Sequence, residues 1–122
     1  MNDKKNAFLI CPVRASTPEI NKQIKEKIDE LSINYNIYWP YRDTKQDDDL
    51  GGIRICSDNL KALRYADVVF IWWDPESKGS HFDLGMAFAL HKKIKLVKCF
   101  DEDGATKSYV KVMKEIEDRQ VV

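Results

Sequence analysis

The chain reads as a doubly wound α/β protein: one parallel sheet of four to five strands, wrapped by helices, in a single domain over residues 1–122. Two observations predict this. Short apolar runs alternate from end to end with segments of helical periodicity, the signature of strand–helix–strand units and hence of parallel pairing. Several of the runs are continuously apolar, as in strands covered on both faces.

The elements follow in order. Ala7-Phe8-Leu9-Ile10-Cys11, closed by Pro12, is a central strand. Thr17-Pro18-Glu19 supplies a cap residue and a proline at the first helical position. Ile20, Ile24, Ile28 and Leu31 then recur at helical spacing, so a helix runs to about Ser32–Asn34. Asn36-Ile37-Tyr38-Trp39 is a second strand, stopped by Pro40. Residues 41–52 show no apolar periodicity and end in Gly51-Gly52, so they read as an acidic loop, either solvated or functional. Ile53 to Ala66 is a helix with Ile53, Cys56, Leu60, Leu63 and Ala66 on its apolar stripe. Val68-Val69-Phe70-Ile71-Trp72-Trp73 is a buried strand, followed by the turn residues Asp74-Pro75-Glu76-Ser77-Lys78 and a helix from Ser80 to His91. Ile94 to Phe100 carries interspersed lysines and belongs nearer a sheet edge. Ser108 to Asp118 is a last helix, with Tyr109, Val112, Met113 and Ile116 on one side. Val121-Val122 would supply a fifth strand.

Composition removes several classes of function. Twenty basic and twenty acidic residues cancel, and the basic ones are scattered, so no broad positive field exists for a nucleic acid polymer. No apolar run approaches the roughly 20 residues that span a bilayer, and the apolar run at the N-terminus is too short for a signal core. Cys11, Cys56 and Cys99 have neither metal spacing nor an even count, and read as reduced thiols of a cytoplasmic protein.

Three clusters can carry chemistry. The first is Gly79-Ser80-His81-Phe82-Asp83-Leu84-Gly85, at the carboxyl end of the third strand, where ligands meet an α/β sheet. Ser80-x-x-Asp83 also fits a capping box, in which Asp83 only caps its own helix; local physics favours that reading. Gly79 would let a ligand approach the backbone, and Gly85 would let the helix sit tightly on the sheet. The second is Arg54, Ser57, Asp58 and Asn59 at a loop-to-helix junction. The third is Pro12 to Thr17, between the first strand and helix, where Arg14 would supply positive charge to an anion or pair with an acid of the long loop. Among the aromatics, Tyr41 and Trp73 are the best placed to stack on a planar base, with core packing the default for the rest.

Asn59-Leu60-Lys61-Ala62-Leu63-Arg64-Tyr65-Ala66-Asp67-Val68-Val69, followed by Gly79-Ser80-His81-Phe82-Asp83-Leu84-Gly85-Met86-Ala87, resembles the nucleoside 2-deoxyribosyltransferase superfamily, which includes the 2′-deoxynucleoside 5′-phosphate N-hydrolases. The matching stretch covers about residues 51–98. The resemblance implies a flavodoxin-like sheet and cleavage of the N-glycosidic bond of a nucleoside or nucleotide through a covalent glycosyl-enzyme. It places Asp83 as the nucleophile and Asp74 as the acid/base group. Asn59 and Arg54, with Ser80 and Gly79, would position substrate, Tyr41 or Trp73 would stack the base, and Arg14 would meet a phosphate. It implies no metal or organic cofactor, and a homo-oligomer. Position 83 holds Asp where the family holds Glu, and Asn59 stands where the family has Asp. These departures motivate a second reading, a nucleotide-binding or regulatory module of the same fold.

Overall fold

The computed structural model describes residues 3–47, 50–99 and 108–120. Four strands, β1 (Lys5–Ile10), β2 (Tyr35–Tyr38), β3 (Val68–Trp72) and β4 (Lys93–Lys98), pair in parallel in the order β2-β1-β3-β4. That order is the flavodoxin-like one. Registers are set by pairs such as Ala7 with Ile37, Leu9 with Phe70 and Ile71 with Leu96, and a bulge at Ile71/Trp72 brings Trp72 opposite Lys98. The Val121-Val122 strand lies outside the described residues.

Alternation along β1 sorts the core into two layers. Ala7, Leu9 and Cys11 point to the face covered by α1 (Pro18–Leu31), against Ile24 and Ile28. Phe8 and Ile10 point to the other, against Leu63 of α3 (Ile53–Tyr65), Leu84 and Ala87 of α4 (Lys78–Ala89), and Val110 and Met113 of α5 (Tyr109–Arg119). Both faces of the central strands are therefore dry, which is why they contain almost nothing polar. On α5 the buried pair is Val110 and Met113, while Tyr109 and Val112 are exposed.

Local signals behave as the sequence predicts at α1, where the Thr17 hydroxyl accepts from Ile20 N–H behind Pro18. The acidic loop differs. Pro40 opens a short helix, α2 (Pro40–Asp43), whose first amide, Trp39 N–H, donates to the Asp43 carboxylate. Burial pushes that carboxyl up, and the adjoining Arg42 guanidinium and the Trp39 amide outweigh it, so its pKa is lowered. Further on, Gly51 and Gly52 hold φ of 74° and 109°, the left-handed backbone that glycine tolerates, and Gly52 caps α3.

At the β4 edge, α5 lies close enough for its side chains to reach strand backbone. Ile94 N–H donates to Gln120 Oε1 and Leu96 N–H to Glu117 Oε2. Lys93, Lys95 and Lys98 of the same strand are exposed, and Lys98 lies over the Trp72 ring.

Candidate active site

What Asp83 can do depends on where α4 begins. The helix starts two residues before the predicted position. Asp74 opens a tight turn, accepting from Glu76 N–H on its side chain and from Ser77 N–H on its carbonyl. The turn delivers Ser77 to the N-cap, where its hydroxyl accepts from Ser80 N–H and pairs with the Ser80 hydroxyl at 2.8 Å. The capping box on Ser80 and Asp83 is thereby overturned: Ser80 lies inside the first turn, buried, and Asp83 lies in the second turn, where no orphan amide needs it.

Relieved of capping, Asp83 is 9% exposed and lines a cavity of about 410 Å³. The cavity lies beyond the carboxyl end of β1, beside the point where strand order reverses, the general ligand position of this architecture. Its walls are Cys11, Val13 and Arg14 after β1, Pro40 and Gln46 from the β2–α3 connection, Cys56 and Asn59 of α3, and Glu76 to Gly79, Phe82 and Asp83 around the start of α4. Burial drives the Asp83 carboxyl up to about 7, while hydrogen bonding from the Asn59 side chain works in the other direction. Burial also pushes the Cys11 thiol up to about 12, with Trp39 opposing and the Asp83 charge adding, so Cys11 is an inert wall rather than a nucleophile.

Three larger hollows, about 520, 570 and 440 Å³, lie between α3 and β2, at the amino ends of the strands and beside α5, the last with Glu115 paired to Arg119. The carboxylates of the first two are engaged as well: Asp43 with Arg42, Asp58 with Arg54, and Asp67 with the Asn6 amide. Among the described residues, the 410 Å³ cavity is the one of these that combines a sunken carboxylate with the sheet's carboxyl end.

The predicted site residues divide. Asp83, Asn59, Arg14 and Gly79 share the cavity. Arg14 also donates to the Gln46 carbonyl at 2.8 Å, so it holds loop backbone rather than a loop acid. A side chain on Gly79 would meet nothing within 4 Å, and the same holds at Gly85, which is exposed; neither glycine is needed for close helix-to-sheet packing. Arg54 stands outside the cavity wall, ion-paired with Asp58 at 2.7 Å and donating to the Lys45 and Asp47 carbonyls, where it clamps the loop. Asp74 is spent on its turn and does not line the cavity. Tyr41 is exposed and packs on Trp39, 4.9 Å between centroids. Trp73 is fully buried among Phe8, Ile10 and Leu84, with His81 against its ring, so it packs the core instead of facing a ligand.

Glu76, Ser77, Lys78, Phe82, Gln46 and Cys56, to which the sequence motifs assign no site role, also line the cavity. The signal for the first four was present, since they flank Asp83 on one turn and helix, but the misplaced helix start concealed it. Gln46 had no signal, because its place depends on bonds from its own amide to the Pro40 and Thr44 carbonyls.

A family model described as nucleoside 2-deoxyribosyltransferase matches residues 8–115. Among solved structures, the chain is similar to a 2-deoxyribosyltransferase from Bacillus psychrosaccharolyticus, with a TM-score of 0.63 and 15% identity over 88% of this chain and 90% of that one. It is similar to a 2-deoxyribosyltransferase from Leishmania mexicana, with a TM-score of 0.58 and 20% identity over 77% and 64% of the two chains. It is also similar to a CMP N-glycosidase of Clostridium botulinum, with a TM-score of 0.56 and 20% identity over 93% and 84%. At these identities the structural likeness shows a shared fold. The comparison with curated proteins finds no match.

Proposed function

The chain belongs to the nucleoside 2-deoxyribosyltransferase family, and from that premise we propose that it cleaves the N-glycosidic bond of a nucleoside or nucleotide with Asp83 as nucleophile. The observation that carries this is the position of Asp83: a carboxylate without a capping duty, sunk in the wall of a cavity at the sheet's carboxyl end. The ionised carboxylate attacks the anomeric carbon as the carbon–nitrogen bond breaks, giving a glycosyl ester and a free base that takes up a proton. Water or a second base then releases the sugar. The relatives' names point to the same bond, a deoxyribosyl transfer in two and CMP N-glycoside cleavage in the third.

The leaving base needs a proton donor. Asp74 is the choice that motif matching favours, but Glu76 is the carboxyl that lines the cavity beside Asp83. Glu76→Gln is therefore expected to slow release of a neutral base about a hundredfold while sparing a base that is already cationic, such as one methylated at a ring nitrogen. Asp74→Asn, which keeps the turn's acceptor oxygen, is expected to stay within a few fold of wild type. The reverse pattern would return the role to Asp74.

The experiment that tests the reading is chromatographic assay of free base after incubation with ribo- and deoxyribonucleosides and their monophosphates. Base release absent in Asp83→Asn supports it. Ligand-dependent thermal stabilisation without release by any compound would replace it with a binding module. The pH profile has a definite sign. Asp83 attacks only when ionised, so base release should climb with pH through a midpoint near 7, well above the range of an ordinary aspartate. A flat profile from about pH 5 to pH 8 would contradict Asp83 as nucleophile.

A further inference from the structure

An amide offers an acceptor oxygen at one corner and two donor hydrogens at the other. At Asn59 the oxygen is occupied. The Thr44 hydroxyl donates to Asn59 Oδ1 at 2.9 Å. That hydroxyl has a single proton, so the 2.5 Å contact between the Tyr38 and Thr44 hydroxyls runs from Tyr38 to Thr44. Reversing the chain would leave the Tyr38 proton only the Asp43 carbonyl, 3.4 Å away, and would turn the Asn59 oxygen toward the cavity that Asp83 lines. Two acceptor oxygens facing one another repel when one belongs to a carboxylate. Thr44 and Asn59 are 4% and 6% exposed, so water does not scramble the arrangement.

We propose that Thr44 is a positioning residue for glycosidic-bond cleavage: its hydroxyl holds the Asn59 amide with the nitrogen toward Asp83, so that the nucleophile meets a donor when it ionises. This rests on the reading of Asp83 as nucleophile. Position 59 holds an amide, and an amide needs a third residue to say which way round it stands. Burial works against the ionised carboxylate, and Asn59 is the group that counters it. Of the cavity wall, Gln46 and Pro40 meet Thr44 through its backbone alone, whereas its hydroxyl meets Tyr38 and Asn59, so an effect of the Thr44 hydroxyl on Asp83 travels through Asn59.

The test compares Thr44→Val, which keeps the shape and removes the hydroxyl, with Thr44→Ser, which keeps the hydroxyl. The Asp83 carboxyl is titrated by carbon-13 NMR in aspartate-labelled protein, its signal assigned through Asp83→Asn, and base release is followed against pH. Thr44→Val is expected to raise the Asp83 midpoint and to lower kcat about fivefold, the worth of one net hydrogen bond, with KM within about twofold. Thr44→Ser should restore both. A folded Thr44→Val with an unmoved Asp83 midpoint, or a Thr44→Ser as impaired as the valine variant, would overturn the proposal. Tyr38→Phe keeps the stacking on Phe8 and removes the proton that sets the chain's direction; should the valine variant not fold, a raised midpoint in Tyr38→Phe supports the proposal and an unchanged one overturns it. If wild type releases no base, the nucleophile reading fails, while the titration still decides whether Thr44 orients Asn59.

Discussion

Asp83→Asn is expected to abolish base release and, at alkaline pH, to make the protein harder to unfold. Loss of a nucleophile costs on the order of a thousandfold or more in turnover. The stability half follows from proton linkage. Below the ordinary 3.8 the carboxyl is protonated in both folded and unfolded chains, and it costs nothing. Between 3.8 and about 7 the unfolded chain has released the proton and the folded one has kept it, so stability falls as pH rises. Above about 7 the full cost is present, a few kcal/mol at about 1.4 kcal/mol per unit of separation. Asparagine never ionises. Thermal melts of variant and wild type should therefore coincide near pH 3.5 and separate by about pH 8, with the variant higher. A variant that melts lower than wild type at about pH 8 would mean that Asp83 holds the fold together instead of straining it. Such a trade of stability for a charged group in a dry site is common at active sites.

Trp73→Ala is the second large effect, and it falls on stability rather than binding. The ring is fully buried and packed among Phe8, Ile10, Leu84 and Met113. Truncating a buried tryptophan costs about 3–5 kcal/mol, through lost transfer energy and the cavity left behind. In a domain of this size the melting temperature should drop by roughly 10 °C or more. Trp73→Phe should be far milder, because the Trp73 indole N–H is buried without a hydrogen-bond partner among the described residues. If Trp73 stacked a substrate base, alanine would raise KM and leave the melt in place. A melt unchanged in Trp73→Ala would refute the core assignment.

The architecture was legible because its signals are strong and local. Apolar runs gave β1 and β3, and a threonine cap before proline fixed the start of α1. What escaped depends on contacts between distant residues. Helix α2 has four residues, too few for a period, and its first amide is capped by Asp43 from within. The start of α4 was missed because Ser80-x-x-Asp83 fits the capping-box pattern, whereas Ser77 supplies only a single-serine cap. The turn made by Asp74 decided between them, and a turn is a geometry that spacing does not carry. The candidate site was half legible for the same reason. Asp83 and Asn59 stand on helices within readable motifs, whereas Thr44 and Gln46 come from a loop shaped by Arg14 and Arg54. Trp73 misled because it closes a strand, the usual place for a ligand-facing aromatic; one residue further along, the next side chain is already outside the core.

The contact between α5 and β4 has a consequence for how the molecule keeps to itself. With no net charge, the protein lacks the mutual repulsion that keeps many proteins apart in solution. An outer strand with unsatisfied amides would then invite strand addition by a neighbour, the first step toward aggregation. Here the Ile94 and Leu96 amides are already bound to Gln120 and Glu117, and exposed lysines stud the same strand. An incoming strand finds neither free donors at those positions nor a neutral surface.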